Sequence, residues 1–152
     1  MVWKSCFFIG HREAPERLLP ALQEAVETHI TEYGVRAFFV GQYGGFDRLA
    51  KTALKAAKQR HPEITLYLLS PYHPAERPIK KPEGFDSIYY PPGMETVPRP
   101  LAIVRANRYM VEHVDYLIAY AWHEGSNALA LAEYALARER RGRMKVTMLE
   151  RC

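Results

Sequence analysis

Residues 36–50 have the sequence RAFFVGQYGGFDRLA, and this stretch decides the fold. Residues 36–40 form a short run rich in apolar and aromatic side chains, which is typical of a buried strand. A glycine turn over 41–45 follows directly, and from there to about residue 60 we predict a helix. A strand that ends in a turn and continues as a helix is the repeating unit of a parallel α/β sheet.

The same alternation of strand and helix patterns continues along the rest of the chain. We predict strands over 3–9, 36–40, 64–69, 114–120 and 144–149, with a further short strand at 86–90. We predict helices over 15–33, 46–60, 101–113 and 128–141. Because parallel strands are joined by right-handed crossovers, these helices should cover both faces of a mostly parallel sheet of five or six strands.

The segment 71–100 departs from this alternation. It contains eight of the eleven prolines of the chain, so we expect mostly irregular backbone here. The segment follows the carboxyl end of a predicted strand. Two interpretations are open: it covers a bound ligand, or it is a surface excursion with no such role.

Composition restricts the class of protein. A chain of 152 residues with 48% hydrophobic and 25% charged residues is expected to form one soluble domain over 1–152. Its apolar runs are far shorter than the roughly 18 residues of a membrane span, so we expect no membrane association. With only two cysteines and no recognisable secretory signal, a reduced, cytoplasmic protein is the simplest expectation.

The net charge of +4 is concentrated near the end of the chain. We interpret this cationic surplus as a solvated helix end that complements the helix dipole, and not as a nucleic-acid-binding stripe. Nucleic acid is therefore not expected as a partner, although a DNA-associated protein is kept as a third hypothesis. The residues concerned are Arg138, Arg140, Arg141, Arg143, Lys145 and Arg151.

Topology indicates where a ligand should bind. In open α/β sheets the site lies beyond the carboxyl ends of the strands, which here means residues 10–12, 41–47, 70–74 and 121–127. Two of these segments are glycine turns that lead into helices, where backbone N–H groups favour an anion. The first, over 41–45, has neither the dinucleotide fingerprint nor the Walker pattern, so a tight turn without a ligand is an equal alternative.

Several polar side chains in these segments allow two interpretations. Asp47 either caps the helix or accepts hydrogen bonds from a sugar, and Ser126 and Asn127 either cap the next helix or contact the ligand. Arg12 and one of Arg105 and Arg108 are the candidates for binding phosphate. An aromatic ring could stack on a base, and the candidates are Tyr43, Phe46, Tyr72 and Trp122.

Three histidines, His11, His73 and His123, each follow a predicted strand. A general base or a zinc site is conceivable from that placement. However, the histidine, cysteine and aspartate residues show no metal-ligand spacing, so we expect no metal. We also expect no cofactor.

Several motifs occur together in this chain, namely GHR over 10–12, GQYGGFDRLA over 41–50, RANRYM over 105–110, IAY over 118–120, and GSN over 125–127 before EYA over 133–135. In combination they resemble the motifs of the SLOG superfamily, and within it those of the small YpsA-like bacterial proteins. The resemblance covers nearly the whole chain except the proline-rich segment. It implies a Rossmann-like three-layer α/β/α sandwich and favours a homodimer. It also implies a nucleotide or nucleotide-derived ligand lined by Gly10, Gly41, Gly44, Gly45, Gly125 and Ser126, with Asp47 near the sugar. With the residues that topology and side-chain chemistry add, the expected ligand-binding set is Gly10, His11, Arg12, Gly41, Gly44, Gly45, Phe46, Asp47, Arg105, Gly125, Ser126 and Asn127.

The chain departs from the enzymatic branch of that superfamily. The related phosphoribohydrolases carry a PGGxGTxxE turn, in which the glutamate serves catalysis. Here Leu129 stands at the glutamate's place. The leading hypothesis is therefore binding or sensing of a nucleotide-derived ligand. The alternative is an enzyme that cleaves an N-glycosidic bond, as a phosphoribohydrolase or deoxyribosyltransferase does, with Glu124, His11 or His123 as candidate catalytic residues.

Overall fold

A computed structural model describes residues 3–152 and contains one six-stranded sheet in which every neighbouring pair of strands is parallel. The strands are β1 (Ser5–Gly10), β2 (Ala37–Val40), β3 (Thr65–Leu69), β4 (Ser87–Tyr89), β5 (Tyr116–Tyr120) and β6 (Lys145–Met148). The helices are α1 (Leu19–Thr31), α2 (Gly45–Arg60), α3 (Ala102–His113) and α4 (Asn127–Arg140). The α/β fold class is confirmed, with a fully parallel sheet.

The order of the strands across the sheet is β4-β3-β2-β1-β5-β6. The chain therefore builds outward from β1 to one edge, returns to the centre, and builds outward again from β5 to the other edge. The direction reverses between β1 and β5, where Cys6 pairs with Tyr116 and Gly10 with Tyr120. Ligands of open α/β sheets bind beside such a reversal point.

Two apolar layers cover the sheet. Phe8 and Phe38 pack in the layer with α1 and α2, whereas Phe7 and Ile9 pack in the layer with α3 and α4. Successive side chains of a strand point to opposite faces, so a strand buried on both faces needs a continuous apolar run. This explains the unbroken apolar sequence of β1 and confirms helices on both faces.

The element boundaries differ from the predictions mainly at the ends. A 3-10 turn over Glu16–Leu18 precedes α1, so α1 itself begins four residues later than predicted. Gly34 follows α1 with a φ of 73°, as expected for a glycine after a helix. In the proline-rich segment, β4 has only three residues and two 3-10 turns follow it. Buried Phe85 and Met94 attach this segment to the core.

Within residues 3–152, none of the helices is both long enough and apolar enough to cross a bilayer.

Candidate functional site

A cleft with a volume of about 460 Å³ opens at the carboxyl ends of β1, β2 and β3 and continues between α3 and α4. This volume is within the usual range for small-molecule sites. The upper part is polar, with Arg12, Asp47 and Asn127, and the part between the helices is mostly apolar. The full lining is Phe7, Phe8, Ile9, Gly10, His11, Arg12, Gly41, Tyr43, Asp47, Leu69, Pro71, Ile103, Val104, Ala106, Asn107, Arg108, Ser126, Asn127, Ala128, Ala130, Leu131 and Tyr134.

Most of the site residues expected from the sequence reach this cleft. Those that line it are Gly10, His11, Arg12, Gly41, Asp47, Ser126 and Asn127. The residues outside its lining are Gly44, Gly45, Phe46, Arg105 and Gly125. Of the two arginines on α3, the cleft includes Arg108 and not Arg105. The site residues expected from the sequence did not include Asn107 and Tyr134, which also line the cleft because of the faces that α3 and α4 turn towards it.

Gly44 and Gly45 have a role different from the one expected. A Cβ atom at Gly44 would lie 2.8 Å from Cα of Arg12, and one at Gly45 would lie 2.6 Å from the Arg12 carbonyl oxygen. Gly44 also has a φ of 102°, which side chains other than glycine rarely adopt. The two glycines therefore allow the loop after β1 to pack directly on the start of α2, and they do not clear space for a ligand.

Three backbone N–H groups in and directly after this turn are used within the protein. The Gly45 N–H donates to the Arg12 carbonyl at 2.6 Å, and the Phe46 N–H donates to the His11 carbonyl at 3.3 Å. The Tyr43 N–H donates to Oδ2 of Asp47 at 3.1 Å. The turn therefore offers a ligand fewer free donors than its glycines suggest, and Asp47 acts here as an acceptor that closes the turn.

The start of α4 is arranged differently. The Ser126 hydroxyl accepts the Leu129 N–H at 3.1 Å and donates to the His123 carbonyl at 2.7 Å. Ser126 is therefore an N-cap, one of its two expected roles. Asn127 and Ala128 line the cleft, and their N–H groups belong to the first turn of a helix, where no intrahelical acceptor exists. The start of α4 therefore offers an anion more free N–H groups than the start of α2 does.

His11 connects the loops after β1 and β5. Its Nε2 atom accepts the N–H groups of Trp122 at 2.9 Å and His123 at 3.2 Å. Burial lowers the pKa of His11 below 6.5, and His123 lowers it further. The ring is therefore neutral at pH 7 with its proton on Nδ1, because Nε2 acts only as an acceptor. That nitrogen is not free to act as a general base.

The remaining candidate catalytic residues are not assembled in the cleft. His123 and Glu124 are exposed and lie outside its lining. His73 lines a separate cavity of about 310 Å³. Within residues 3–152, histidine, cysteine, aspartate and glutamate side chains form no group of three that could hold a metal ion.

Asp47 is the titratable carboxyl group of the cleft. Burial raises its pKa from 3.8 to about 7, while the hydrogen bond from the Tyr43 N–H and the charge of Lys51 act in the opposite direction. A carboxyl group that titrates near neutrality beside a cleft is a feature of many functional sites. Asp47 can both donate and accept a hydrogen bond near pH 7, depending on its protonation.

The end of the cleft between the helices contains a compact polar group. The guanidinium of Arg108 lies 4.5 Å from the centre of the Tyr134 ring, and the Tyr134 hydroxyl donates to Oε2 of Glu112 at 2.6 Å. Arg108 is also within 3.5 Å of the same carboxylate. These contacts fix Tyr134 and Arg108 at the wall of the cleft.

The four aromatic candidates have different surroundings. Phe46 is fully buried beneath Gly10, whose Cβ would overlap the ring, so it cannot stack on a ligand. The Trp122 ring is covered by Arg151, whose guanidinium carbon lies 3.5 Å from the ring centre. Tyr43 lines the cleft, and Tyr72 lies beside it.

No protein-family model matches the chain, and no curated protein is similar to it at a significant level. A solved structure of DNA processing protein A from Helicobacter pylori, described for its single-stranded DNA binding mode, is similar with a TM-score of 0.61. The sequence identity is 15%, and the match covers 98% of this chain. The fold is Rossmann-like. The chain spans 66% of the length of that structure.

This similarity corrects one expectation about partners. Nucleic acid was not expected, because the basic residues are concentrated in one region of the sequence. A structure with the same type of fold binds single-stranded DNA, so that exclusion is wrong. A concentrated basic region does not exclude nucleic acid, because a single strand can be bound by a few cations combined with aromatic rings and does not need a long basic stripe.

Proposed function

We propose that the cleft binds a nucleotide unit. The observation that carries this proposal is its position and size: a cavity of about 460 Å³ at the carboxyl edge of a parallel sheet, beside the reversal between β1 and β5. The motif resemblance to the SLOG superfamily and its YpsA-like branch supports the same ligand class.

The lining favours one orientation of the nucleotide. Arg12 and the first turn of α4 at Asn127 supply positive charge and N–H groups for phosphate. Asp47 lies at the same polar end and can bond a sugar hydroxyl. The base would then enter between α3 and α4, where Ile103 and Leu131 provide apolar contact.

A thermal-shift experiment with nucleoside monophosphates tests this proposal. A nucleotide at about 100 times its dissociation constant should add roughly 2.7 kcal/mol to the free energy of unfolding. Ala130→Trp places an indole in the cleft and should abolish the shift, whereas Glu133→Trp, on an exposed residue of α4 outside the lining, should retain it. A shift that survives Ala130→Trp, or no shift with any nucleotide, would contradict the proposal.

A second candidate is that the bound nucleotide belongs to single-stranded DNA. The observation that favours it is the similarity to DNA processing protein A, whose single-stranded DNA binding mode is the subject of its structure. Fluorescence anisotropy of a labelled ten-nucleotide oligothymidylate tests it. If this candidate is correct, the oligonucleotide should bind more tightly than the mononucleotide, and its affinity should fall with salt.

The N-glycosidase alternative is less well supported by the geometry. Its candidates His123 and Glu124 lie outside the cleft, and Nε2 of His11 is occupied by two backbone donors. Release of free base from nucleoside monophosphates would revive this alternative. Asp47 would then be the first residue to test, because it is the carboxyl group at the cleft.

A further inference from the structure

A row of cationic and aromatic side chains extends from the cleft along the carboxyl edge of the sheet. We define the crest strip as Arg12 after β1, Tyr43 after β2, and Tyr72 with Arg77 after β3. Because β1, β2 and β3 are adjacent in the sheet, the residues that follow them lie in the same order. With neighbouring strands about 4.8 Å apart, the row spans about 10 Å.

Three members of the crest strip, Tyr43, Tyr72 and Arg77, lie close to one another. The guanidinium carbon of Arg77 lies 4.4 Å from the centre of the Tyr72 ring. Burial raises the pKa of Tyr43, and Arg77, whose guanidinium can donate a hydrogen bond to the phenol oxygen, is among the influences that lower it. Arg77 therefore connects the two tyrosines, although it comes from the exposed part of the proline-rich segment.

The crest strip is continuous with the cleft at one end. Arg12 and Tyr43 line the cleft, and Pro71 lies between the cleft and the separate cavity that contains Tyr72. At the other end, two carboxylates, Glu76 and Glu95, line that separate cavity against a single guanidinium, that of Arg99, so negative charge is in excess. A polyanion would be repelled there, so the favourable path ends at Tyr72 and Arg77.

We propose that the crest strip binds the nucleotides that adjoin the one in the cleft, within a single-stranded DNA. This inference rests on the proposed function of the cleft. Bases stack on Tyr43 and on the Tyr72 and Arg77 pair, and the phosphates pass close to Arg12 and Arg77. Aromatic stacking combined with cationic side chains is the general means of binding single strands.

Comparison of a long and a short ligand tests the proposal. Arg77→Ala and Tyr72→Leu are made separately and together, since leucine keeps the apolar contacts of Tyr72 with the core and removes the aromatic ring. The double variant should weaken binding of labelled ten-nucleotide oligothymidylate about tenfold or more, because stacking contributes roughly that much per base. Binding of thymidine monophosphate in a thermal-shift assay should not change.

Arg140→Ala with Arg141→Ala is the matched control, since it removes two exposed cations from the end of α4, away from the crest strip. This control should weaken oligonucleotide binding less than the double variant of Tyr72 and Arg77 does. Arg77→Ala should also make the slope of log binding constant against log salt concentration shallower by about 0.7. This is the value of about 0.7 expected for the loss of one phosphate contact on a single strand.

The outcomes separate the two proposals. The crest strip is rejected if the double variant binds the oligonucleotide as the unmodified protein does, or if it loses mononucleotide binding to the same degree. It is also rejected, with the cleft proposal intact, if the unmodified protein binds only the mononucleotide. Absence of binding for both ligands would reject both proposals. Circular dichroism of each variant excludes unfolding as the cause of a loss.

Discussion

His11 joins two loops of the cleft through a single nitrogen atom. Nε2 accepts hydrogen bonds from two backbone N–H groups of the loop after β5. The backbone N–H of His11 donates to the Tyr120 carbonyl at 3.2 Å. Protonation would remove the acceptor and leave both donors facing a cation. The shape of this part of the cleft therefore depends on the neutral form of one side chain.

This arrangement predicts a pH dependence of stability. The pKa of His11 is lower in the folded protein than the ordinary 6.5, so its contribution is fully present above pH 6.5 and is lost as the pH falls through the folded-state pKa. His11→Ala should lower the free energy of unfolding by about 1–3 kcal/mol at pH 8, because two backbone N–H donors lose their acceptor. Urea unfolding should show that the free energy of unfolding changes less between pH 8 and pH 5 in this variant than in the unmodified protein.

The exposed His73→Ala serves as the control and should retain the full pH effect. His29 is buried and also has a lowered pKa, mainly because of burial, so part of the effect will remain in His11→Ala. Identical pH profiles for the unmodified protein and His11→Ala would contradict the role assigned to this histidine.

Asp47 should have the opposite pH dependence. Its folded-state pKa of about 7 exceeds the ordinary 3.8, so the folded protein binds the proton more tightly and stability falls as the pH rises from about 4 to 7. Asp47→Asn removes the cost of the buried charge while keeping an acceptor for the Tyr43 N–H. We expect a gain of about 1–2 kcal/mol at pH 8 and a smaller gain at pH 5.

Denaturant unfolding at the two pH values measures this gain. Asp86→Asn is a useful comparison, because Asp86 is an exposed carboxylate that accepts the Leu66 N–H and pairs with Lys58. It should destabilise the protein at pH 8. If Asp47→Asn loses the same stability at both pH values, ionisation of the buried carboxyl does not destabilise the folded protein, and the prediction is wrong.

Among the helices, α2 begins in the most constrained place. Its first residue, Gly45, lies against the loop after β1, and a methyl group there would meet the Arg12 carbonyl oxygen. The position of α2 and the position of Arg12 in the cleft are therefore coupled. Glycine is required at this point by close approach of two backbones, which a turn motif alone does not reveal.

Gly45→Ala should destabilise the protein by about 1–3 kcal/mol, because the added methyl forces the two segments apart. Gly142→Ala is the control, since a Cβ there meets no atom within 4 Å and only the φ of 71° opposes it. Its cost should be about 1 kcal/mol. Urea unfolding gives both values, and a Gly45→Ala protein as stable as the unmodified one would contradict the packing described here.

Between α2 and α3, the chain is most open to solvent around residues 73–81, which are exposed except for Ile79. Trypsin does not readily cleave before proline, and both Arg77 and Lys81 precede proline. The first tryptic cut in this region should therefore follow Lys80. Mass spectrometry identifies the fragments, Lys80→Gln should remove the cut, and oligothymidylate should slow it. An initial cut elsewhere between the two helices would contradict this prediction.

Across the whole chain, the fold could be predicted because its signals are local. The apolar runs of the strands and the helical spacing between them appear in the sequence itself, and they located the six strands and four helices that the structure shows within residues 3–152. Topology also predicted that His11, Asp47 and Asn127 would come to one edge of the sheet. The choice of Arg108 over Arg105 could not be made, because it depends on the face of α3 that Ala106 and Met110 bury.

The roles of the site residues depend on contacts between distant parts of the chain. The acceptor role of His11 requires Trp122 and His123 to lie beside it, more than 100 residues away in sequence. Tyr72 and Arg77 meet within a proline-rich segment that has no periodicity to read. Sequence patterns report which residues reach an edge of the sheet, but not which hydrogen bonds they make there.

The pairing of β1 with β5 also constrains how the molecule is made. The Ser5 N–H bonds the Asp115 carboxylate at 2.9 Å across a separation of 110 residues. Contacts so remote in sequence tend to slow folding. During synthesis, β1 to β4 can associate before β5 has left the ribosome, which leaves one side of the central strand temporarily without a neighbour. The cleft can therefore form only after α4, which supplies part of its lining, has been translated.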